Sequence, residues 1–544
     1  MLTVRTLCVV ALVAGLWWAY QLGISDSFFR SNEVGLMDSQ LGLPRTGFKG
    51  EGAILPTQGY DQDAGRTIGA DEVEQILESV NPSNDWLVRV DQNMTDYLLV
   101  SSDSTGLTVT NHNPKLGVVR FSVTNPLLAL PLLNRFLSED KISPNYPLRS
   151  PLPPRNYSMA EESYFADSFI DWLGGDRTRS GFGKGVKVAL LDSGVDLNHP
   201  SLAGSSVEQM YDQAGLLVPS ETKNSHGTAL ASVMAGNTET YQGIAPGCEI
   251  LSYPVIDESG RADTYTVAQA ILHAVEDGAE VINLSLGAEQ SSAVLRDAVS
   301  YAINQDVVVV AAVGNEGIGL VNYPAAYDGV IGVTSIGTGG KVASFSNYGK
   351  EVDVAAPGVG VLTAWESEEF ANFSGTSVSS AIVSAAIAVE RARFPHLTNS
   401  QIQELVFSHT MEAEKPGHDE VSGYGVVSLA RLENKNNPVY SDPALVGYHF
   451  ENSPSHGGTI PFEVVFQNQG NTWQDNLELE VRYLGTNKRL PINNFAPGEV
   501  RSEKFYVQGS SVKNALEISA KLIVPKDIAD SRPENNDRKS VIRF

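Results

Sequence analysis

Residues 186–194 read Val186-Lys-Val-Ala-Leu-Leu-Asp192-Ser-Gly194, and this stretch decides the fold. The apolar run from Val186 to Leu191 predicts a strand that is buried on both faces, as strands of parallel sheets are. Asp192 ends the strand and Gly194 opens a turn. Because functional sites of α/β proteins form at the carboxyl ends of parallel strands, Asp192 is a candidate site residue.

Three other segments carry matching chemistry. A second buried strand, Val307 to Val313, runs into Gly314-Asn315, and an asparagine side chain there can donate to an oxyanion. His226 stands in Asn224-Ser-His226-Gly. Ser377 precedes a helical stretch, Val378 to Arg393, so its N–H and the helix dipole would favour negative charge beside the hydroxyl.

Asp192, His226 and Ser377 have the residue types of a nucleophilic triad. A serine hydroxyl is a weak nucleophile until an imidazole takes its proton, and the imidazole needs a carboxylate on its other nitrogen. Taken alone, each residue has an ordinary structural explanation as a turn aspartate, a core histidine or a helix cap. Together, in this order and with Asn315 as the oxyanion residue, they favour catalysis.

On these residues the chain resembles the subtilases, the subtilisin-like serine peptidases, over about residues 160–433. His199-Pro200, Tyr323-Pro and Gly423-Tyr-Gly match further family positions. The resemblance implies an α/β fold with a mostly parallel sheet and flanking helices. It also implies hydrolysis of peptide bonds in protein or peptide substrates, with no cofactor required for the catalytic step.

The resemblance also implies substrate-binding residues. Ser285, Leu286 and Gly287 correspond to a family segment that pairs with the peptide backbone at an edge strand, and Asn322 stands where a glycine or small residue often floors the S1 pocket. Ala381 stands where the family usually has proline, and we expect the helix to persist because alanine is the better helix former. Many subtilases hold calcium, but no loop with spaced oxygen ligands stands out, so a structural calcium ion stays open.

The amino-terminal region divides into three parts. Residues 1–30 have the pattern of an export signal, either a cleaved signal peptide or an uncleaved signal anchor that contacts the membrane. Residues 31–71 predict a flexible tether. Residues 72–150 predict a small α+β domain, with helices at 72–79 and 127–137 and strands at 86–90, 97–101 and 118–123. Its layout and Pro144-Asn-Tyr146 resemble a subtilase inhibitory propeptide, and a permanent accessory domain is the alternative.

The carboxyl-terminal region has a different periodicity. A polar linker is predicted at 434–443, and apolar residues then alternate with polar ones, as in Leu477 to Tyr483. This pattern over 444–544 predicts an immunoglobulin-like β-sandwich, and its turn segments resemble CARDB-type modules.

Composition narrows the function classes. The chain has 544 residues and a net charge of -26, which argues against nucleic-acid binding. Its two cysteines, Cys8 and Cys248, lie in different regions, so no disulfide framework is expected. Together with the export pattern at 1–30, the resemblance implies an exported serine endopeptidase of the cell envelope or medium, and the oligomeric state stays open. The alternative is a non-catalytic binding or scaffold protein that keeps the fold.

Overall fold

The computed structural model describes two compact units. The first comprises the described residues up to Tyr146 together with Asp263–Tyr265 and Gln290–Asp297, and the second comprises the rest. The described residues are 60–61, 66–67, 70–138, 141–150, 165, 168–176, 179–210, 225–257, 259–365, 368–415, 417–450, 458–508 and 515–543. The predicted signal or anchor at 1–30, most of the tether at 31–71, and Cys8 lie outside them.

The first unit is a small α+β structure. Strands β4, β5, β3 and β6 form an antiparallel sheet in that order. Its core joins apolar side chains of the sheet to those of α1 and α4, among them Val73, Phe121 and Leu133. The elements are β1 Tyr60–Asp61, β2 Arg66–Thr67, α1 Ala70–Val80, β3 Trp86–Arg89, α2 Gln92–Val100, α3 Ser102–Thr105, β4 Leu107–Asn113, β5 Val118–Val123, α4 Pro126–Ser138 and β6 Ile142–Pro144.

One predicted strand of this unit is wrong. Residues 97–101 were expected to be extended, but Gln92–Val100 is a helix. The Asp91 side chain caps it by accepting the N–H of Met94, and Thr95 and Leu98 are buried on one helical face. A capped amphipathic turn therefore overrides the strand preference of the short Tyr-Leu-Leu-Val run.

The second unit contains the predicted α/β domain. Seven parallel strands form one sheet in the order β15-β14-β13-β12-β8-β10-β9. The elements between residues 147 and 433, of which β11, α7 and α8 include some residues of the first unit, are β7 Pro147–Arg149, α5 Phe169–Trp172, β8 Lys187–Asp192, β9 Ser206–Gln209, α6 Ser225–Ala235, β10 Glu249–Pro254, β11 Arg261–Asp263, α7 Thr264–Glu276, β12 Val281–Leu284, α8 Ala293–Asn304, β13 Val308–Ala312, β14 Val330–Ile336, β15 Val354–Pro357, β16 Val361–Ala364, β17 Phe370–Phe373, α9 Thr376–Arg393, α10 Asn399–Phe407 and α11 Leu429–Glu433.

The central helix α9 is buried against the middle of the sheet. Its side chains from Thr376 to Arg391 are buried, and the helix packs on β12, β13 and β14 and beside α6. Strands β12, β13 and β14 are buried along their whole length. Helix α9 continues through Ala381, as predicted from the helix preference of alanine. The α/β fold prediction is confirmed.

A β-rich region follows. Strands β18, β19 and β22 form one antiparallel sheet, and β21, β20, β23 and β24 form a second. Apolar side chains from both sheets share a core. The predicted alternation is thus seen as a two-sheet arrangement, and the likeness to CARDB-type modules stays a prediction. The strands are β18 Pro443–Phe450, β19 Thr459–Asn468, β20 Leu477–Tyr483, β21 Thr486–Ile492, β22 Val500–Gln508, β23 Ala515–Ile523 and β24 Asp537–Arg543.

A partly buried carboxylate next to β15 predicts a pH-dependent stability. Desolvation raises the pKa of Asp353 to about 6, although the Gly332 N–H, 2.8 Å from Oδ2, and nearby His418 favour its charged form. Between pH of about 4 and about 6 the folded chain therefore binds more protons than the unfolded chain, so stability falls as the pH rises. Asp353→Asn should raise the free energy of unfolding at pH 7 by up to about 3 kcal/mol and flatten this slope.

Urea unfolding at pH 4.5 and pH 7 measures the effect, with Ser377→Ala in all variants to prevent self-digestion. Asp328→Asn is the control, since Asp328 is exposed. Equal destabilisation by Asp353→Asn at both pH values would contradict the prediction.

Candidate active site

Adjacent strands at the middle of the sheet bring the candidate residues to one edge. Asp192 is the last residue of β8, Asn315 follows β13, and Gly287 follows β12, which lies between those two strands. The carboxyl ends of neighbouring parallel strands meet, so loops far apart in sequence converge there. His226 and Ser377 are each the second residue of a helix, α6 and α9.

Asp192 and His226 are directly hydrogen-bonded. A distance of 2.7 Å joins Nδ1 of His226 to Oδ1 of Asp192, and that oxygen also accepts the Ser193 N–H at 2.7 Å. The Asp192 side chain is fully buried, whereas that of His226 keeps 18% of its surface exposed. The ring of Phe373 lies edge-on, 5.4 Å from the imidazole between centroids. The carboxylate thus holds the ring through Nδ1 and leaves Nε2 as the nitrogen that can exchange a proton.

Asn315 and Ser377 are held together through Thr376. Oδ1 of Asn315 accepts both the N–H and the hydroxyl of Thr376 at 2.9 Å. With the oxygen used in this way, the amide nitrogen is the group that can donate to an oxyanion. It lies 2.9 Å from where a Cβ on Gly375 would be, so the glycine makes room for it, and Gly375 has a φ of 151°.

Residues 147–150 of the chain itself lie in this site. Arg149 exchanges two backbone hydrogen bonds with Gly287, of 2.9 and 2.8 Å, as an antiparallel strand pair does. The Ser150 N–H donates to Gly260 O at 3.3 Å. The Ser150 hydroxyl lies 3.0 Å from Nε2 of His226, while Oγ of Ser377 is buried and makes no hydrogen bond among the described residues.

Comparisons with known proteins agree with this arrangement. The model of the subtilase family, Peptidase_S8, matches residues 183–425. The chain is 35% identical over 258 residues to the thermostable alkaline protease of Halalkalibacterium halodurans, covering 46% of this chain and 68% of that protein. It is 36% identical over 255 residues to subtilisin Savinase of Lederbergia lenta, covering 45% of this chain and 90% of that protein.

This chain belongs to the subtilase family. The family consists of serine peptidases, so the predicted enzyme class is confirmed. The solved structure of fervidolysin from Fervidobacterium pennivorans, a keratinolytic enzyme related to subtilisin, aligns with a TM-score of 0.56 at 20% identity. That alignment covers 85% of this chain and 76% of the fervidolysin chain, and it shows a shared fold.

Three of the predicted substrate-binding residues of this subtilase, Ser285, Leu286 and Gly287, have different surroundings in the structure. Gly287 pairs with a peptide strand, but it lies beyond the end of β12, which is a central strand and not an edge strand. Leu286 is buried. The Ser285 hydroxyl lies 3.1 Å from Ser377 O and 2.9 Å from Ser380 Oγ, so it supports the start of α9.

Asn322 lies beside Gly287 and Gly314. Its Cβ and its amide nitrogen are 3.0 and 2.6 Å from where a Cβ on these two glycines would be. Its amide nitrogen donates to the Glu316 carboxylate at 3.3 Å, and Asn347 donates to the same oxygen at 2.7 Å. Its own Oδ1 is buried and has no partner among the described residues. The predicted role of Asn322 at the S1 pocket stays a prediction.

Sequence reasoning missed two residues of the site. Ser150 lies in a short stretch between two prolines, and only its contact with His226 distinguishes it. Phe373 stands four residues before Ser377, but nothing in its spacing indicates that it packs on the imidazole. Both contacts join residues more than 75 positions apart, which a local pattern does not report.

The described part of the chain contains no group of three His, Cys, Asp or Glu side chains that could hold a metal ion. Burial raises the pKa of the Cys248 thiol to about 12, so it is not a thiolate nucleophile at neutral pH.

Proposed function

We propose that this subtilase is an endopeptidase that cleaves peptide bonds through an acyl-enzyme at Asp192, His226 and Ser377. The observation that carries the proposal is the peptide strand at the site: Arg149 pairs with Gly287, and Ser150 contacts the imidazole that Asp192 orients. A segment of the chain's own backbone thus lies where an extended substrate would bind.

In the first half of the reaction, His226 Nε2 takes the Ser377 proton as Oγ attacks the carbonyl carbon. The imidazolium that forms is stabilised by the buried Asp192 carboxylate. The tetrahedral intermediate then collapses, the C–N bond breaks, and His226 gives the proton to the leaving amine. In the second half, water repeats the sequence on the ester, and Ser377 is regenerated.

Negative charge develops on the carbonyl oxygen, and two donors can stabilise it. These are the Ser377 N–H at the start of α9 and the amide nitrogen of Asn315, whose orientation Thr376 sets. No cofactor is needed for these steps, and a structural calcium ion elsewhere stays a prediction.

We also propose that residues 72–150 are an inhibitory segment whose end occupies the site until it is cut off. The Ser150 hydroxyl contacts Nε2 of His226, which is the nitrogen that would take the proton of Ser377. The strand therefore blocks the general base as well as the position where a substrate would bind. In wild type we expect a cut between Arg149 and Phe165. The Ser377→Ala chain should accumulate uncut, and mass spectrometry of both proteins from the native host measures the ends.

The separately expressed segment 72–150 should inhibit the mature enzyme at low concentration, because a preformed strand loses little entropy on binding. The same segment with Ser150→Ala should inhibit about tenfold more weakly, and Ser150→Thr, which keeps a hydroxyl, should restore most of the effect. An intact, active wild-type chain that the segment fails to inhibit would make this region an accessory domain.

A non-catalytic scaffold is the alternative function, and a fluorophosphonate separates it from the endopeptidase. The probe should label mature wild type on Ser377 and leave Ser377→Ala unlabelled. A properly folded mature chain that does not react would support the scaffold.

We further propose export, with the protein acting outside the cytoplasm and held by a signal anchor at 1–30 or released. The support is the apolar segment flanked by Arg5 and Asp26. None of the helices in the described residues is long and apolar enough to cross a membrane. The amino-terminal mass found for the native protein decides between anchor and cleaved signal.

A further inference from the structure

The β-rich region after residue 438 packs closely on the peptidase domain. Its residues Ala444, Val446 and Val465 belong to the same apolar core as Phe169, Trp172 and Leu173. The end of the predicted linker at 434–443 is packed as well, since Tyr440 and Asp442 are buried. This region is therefore continuous with the peptidase core and is not a module on a free tether.

Polar contacts from this region converge on one short segment, residues 168–175. Gln469, which is buried, donates from Nε2 to Asp171 O at 2.7 Å and to Trp172 O at 3.2 Å. Arg532 donates from Nη1 to Gly174 O at 2.5 Å, and Arg538 pairs with the Asp171 carboxylate at 2.9 Å. Carbonyls at and just after the end of α5 thus accept hydrogen bonds from side chains more than 290 residues away, and the Asp171 carbonyl also accepts the Gly174 N–H at 3.0 Å.

The side chains that make these contacts are themselves fixed. Arg532 also donates from Nε to the buried Asp442 carboxylate at 2.8 Å and from Nη2 to Gln469 Oε1 at 2.6 Å. Asn535 donates to the other Asp442 oxygen at 2.7 Å. These side chains hold one another in place. Their donors to α5 are therefore already oriented, and little further side-chain conformational entropy is lost when the hydrogen bonds form.

The other side of the segment rests on the peptidase. Trp172 Nε1 donates to Thr338 O at 2.9 Å, and Leu429 N–H donates to Leu173 O at 2.9 Å. Residues 168–175 thus lie between the peptidase domain and the β-rich region. The segment also follows the window in which the proposed cut falls.

We propose that residues 440–543 act as a clamp that retains residues 168–175 in the mature enzyme. The proposal rests on the processing proposed above. Before the cut, the chain continues on both sides of the segment and limits its fraying. After the cut the segment is close to a free end, and chain ends detach more readily than continuous chain. The clamp replaces the lost restraint, which gives the β-rich region a role within the enzyme.

Amide hydrogen exchange at residues 172–175 tests the clamp in the full-length protein. It is measured in mature enzyme inactivated with a fluorophosphonate and in the uncut Ser377→Ala chain. Gln469→Ala should speed exchange about tenfold or more in the mature enzyme, since two hydrogen bonds to buried carbonyls are lost, and less in the uncut chain. Gln474→Ala is the control: Gln474 is equally buried, but its Nε2 donates to Ser441 and Thr472 within the β-rich region.

A second pair of variants covers the case in which Gln469→Ala fails to fold. Arg538→Gln removes the ion pair with Asp171, while Arg489→Gln removes one with Glu480 inside the β-rich region. Only Arg538→Gln should speed exchange at 172–175. If each test variant and its control showed the same exchange rate at 172–175, the clamp would be overturned. If the test variants increased exchange as much in the uncut chain as in the mature enzyme, the proposal that the clamp retains the segment after the cut would be overturned. A wild-type chain that stays uncut would instead overturn the processing proposal.

Discussion

Replacing Ser377 by alanine is expected to lower kcat by about 10⁶-fold, the loss that triad removal causes in a related enzyme. In the proposed mechanism the hydroxyl is the group of the triad that forms a covalent bond to the substrate. Alanine fits the buried position and removes no hydrogen bond of the Ser377 side chain among the described residues, so the fold should persist. The rate is measured on a peptide substrate with a chain that active wild type has cut in trans.

The double variant with His226→Ala tests whether the two residues act as one unit. In the proposed mechanism the imidazole acts by moving the proton of Ser377, so the double variant should lose little beyond either single one. Losses that multiply would contradict the assignment. Ser379→Ala is the matched control, since Ser379 is buried in the same helix but bonds to Ser335 and the carbonyls of Ala356 and Pro357. It should keep activity within about tenfold of wild type, since its hydrogen bonds are structural.

Much of the site could be predicted because its residues stand at the ends of strongly patterned elements. Asp192 ends an apolar strand, Asn315 follows another, and Ser377 begins a long helix. The rule that parallel strands place their carboxyl ends together then brings Asp192 and Asn315 to one edge without knowledge of the strand order. The order β13-β12-β8, which makes the two strands near neighbours, came only from the structure.

The failures have two physical causes. Tyr97 to Ser101 has strand-forming side chains, but the local cap that Asp91 makes with the Met94 N–H, together with the burial of Leu98, makes the segment helical. The other two failures concern contacts between residues far apart in the sequence. The contact between Ser150 and His226 joins residues 76 positions apart, so it depends on the tertiary fold. The 434–443 stretch is polar in sequence, yet its Asp442 is buried because Arg532, far along the chain, pairs with it.

Asn315→Ala is expected to lower kcat by about 10²–10³ with KM nearly unchanged. The amide nitrogen of Asn315 can stabilise a full negative charge on the carbonyl oxygen but gains little from the neutral carbonyl of the bound substrate. Its loss therefore raises the transition state more than the bound ground state. Steady-state rates on one peptide substrate give both constants.

Asn315→Asp separates the donor from the local structure. An aspartate keeps the oxygen that accepts the N–H and hydroxyl of Thr376, so the start of α9 should be undisturbed. It replaces the donating nitrogen by a second oxygen of negative charge, which would repel the developing oxyanion. We therefore expect Asn315→Asp to lose at least as much kcat as Asn315→Ala. A variant that kept most of its kcat, or in which KM changed more than kcat, would instead make Asn315 a residue that binds the substrate or orders the Thr376 turn.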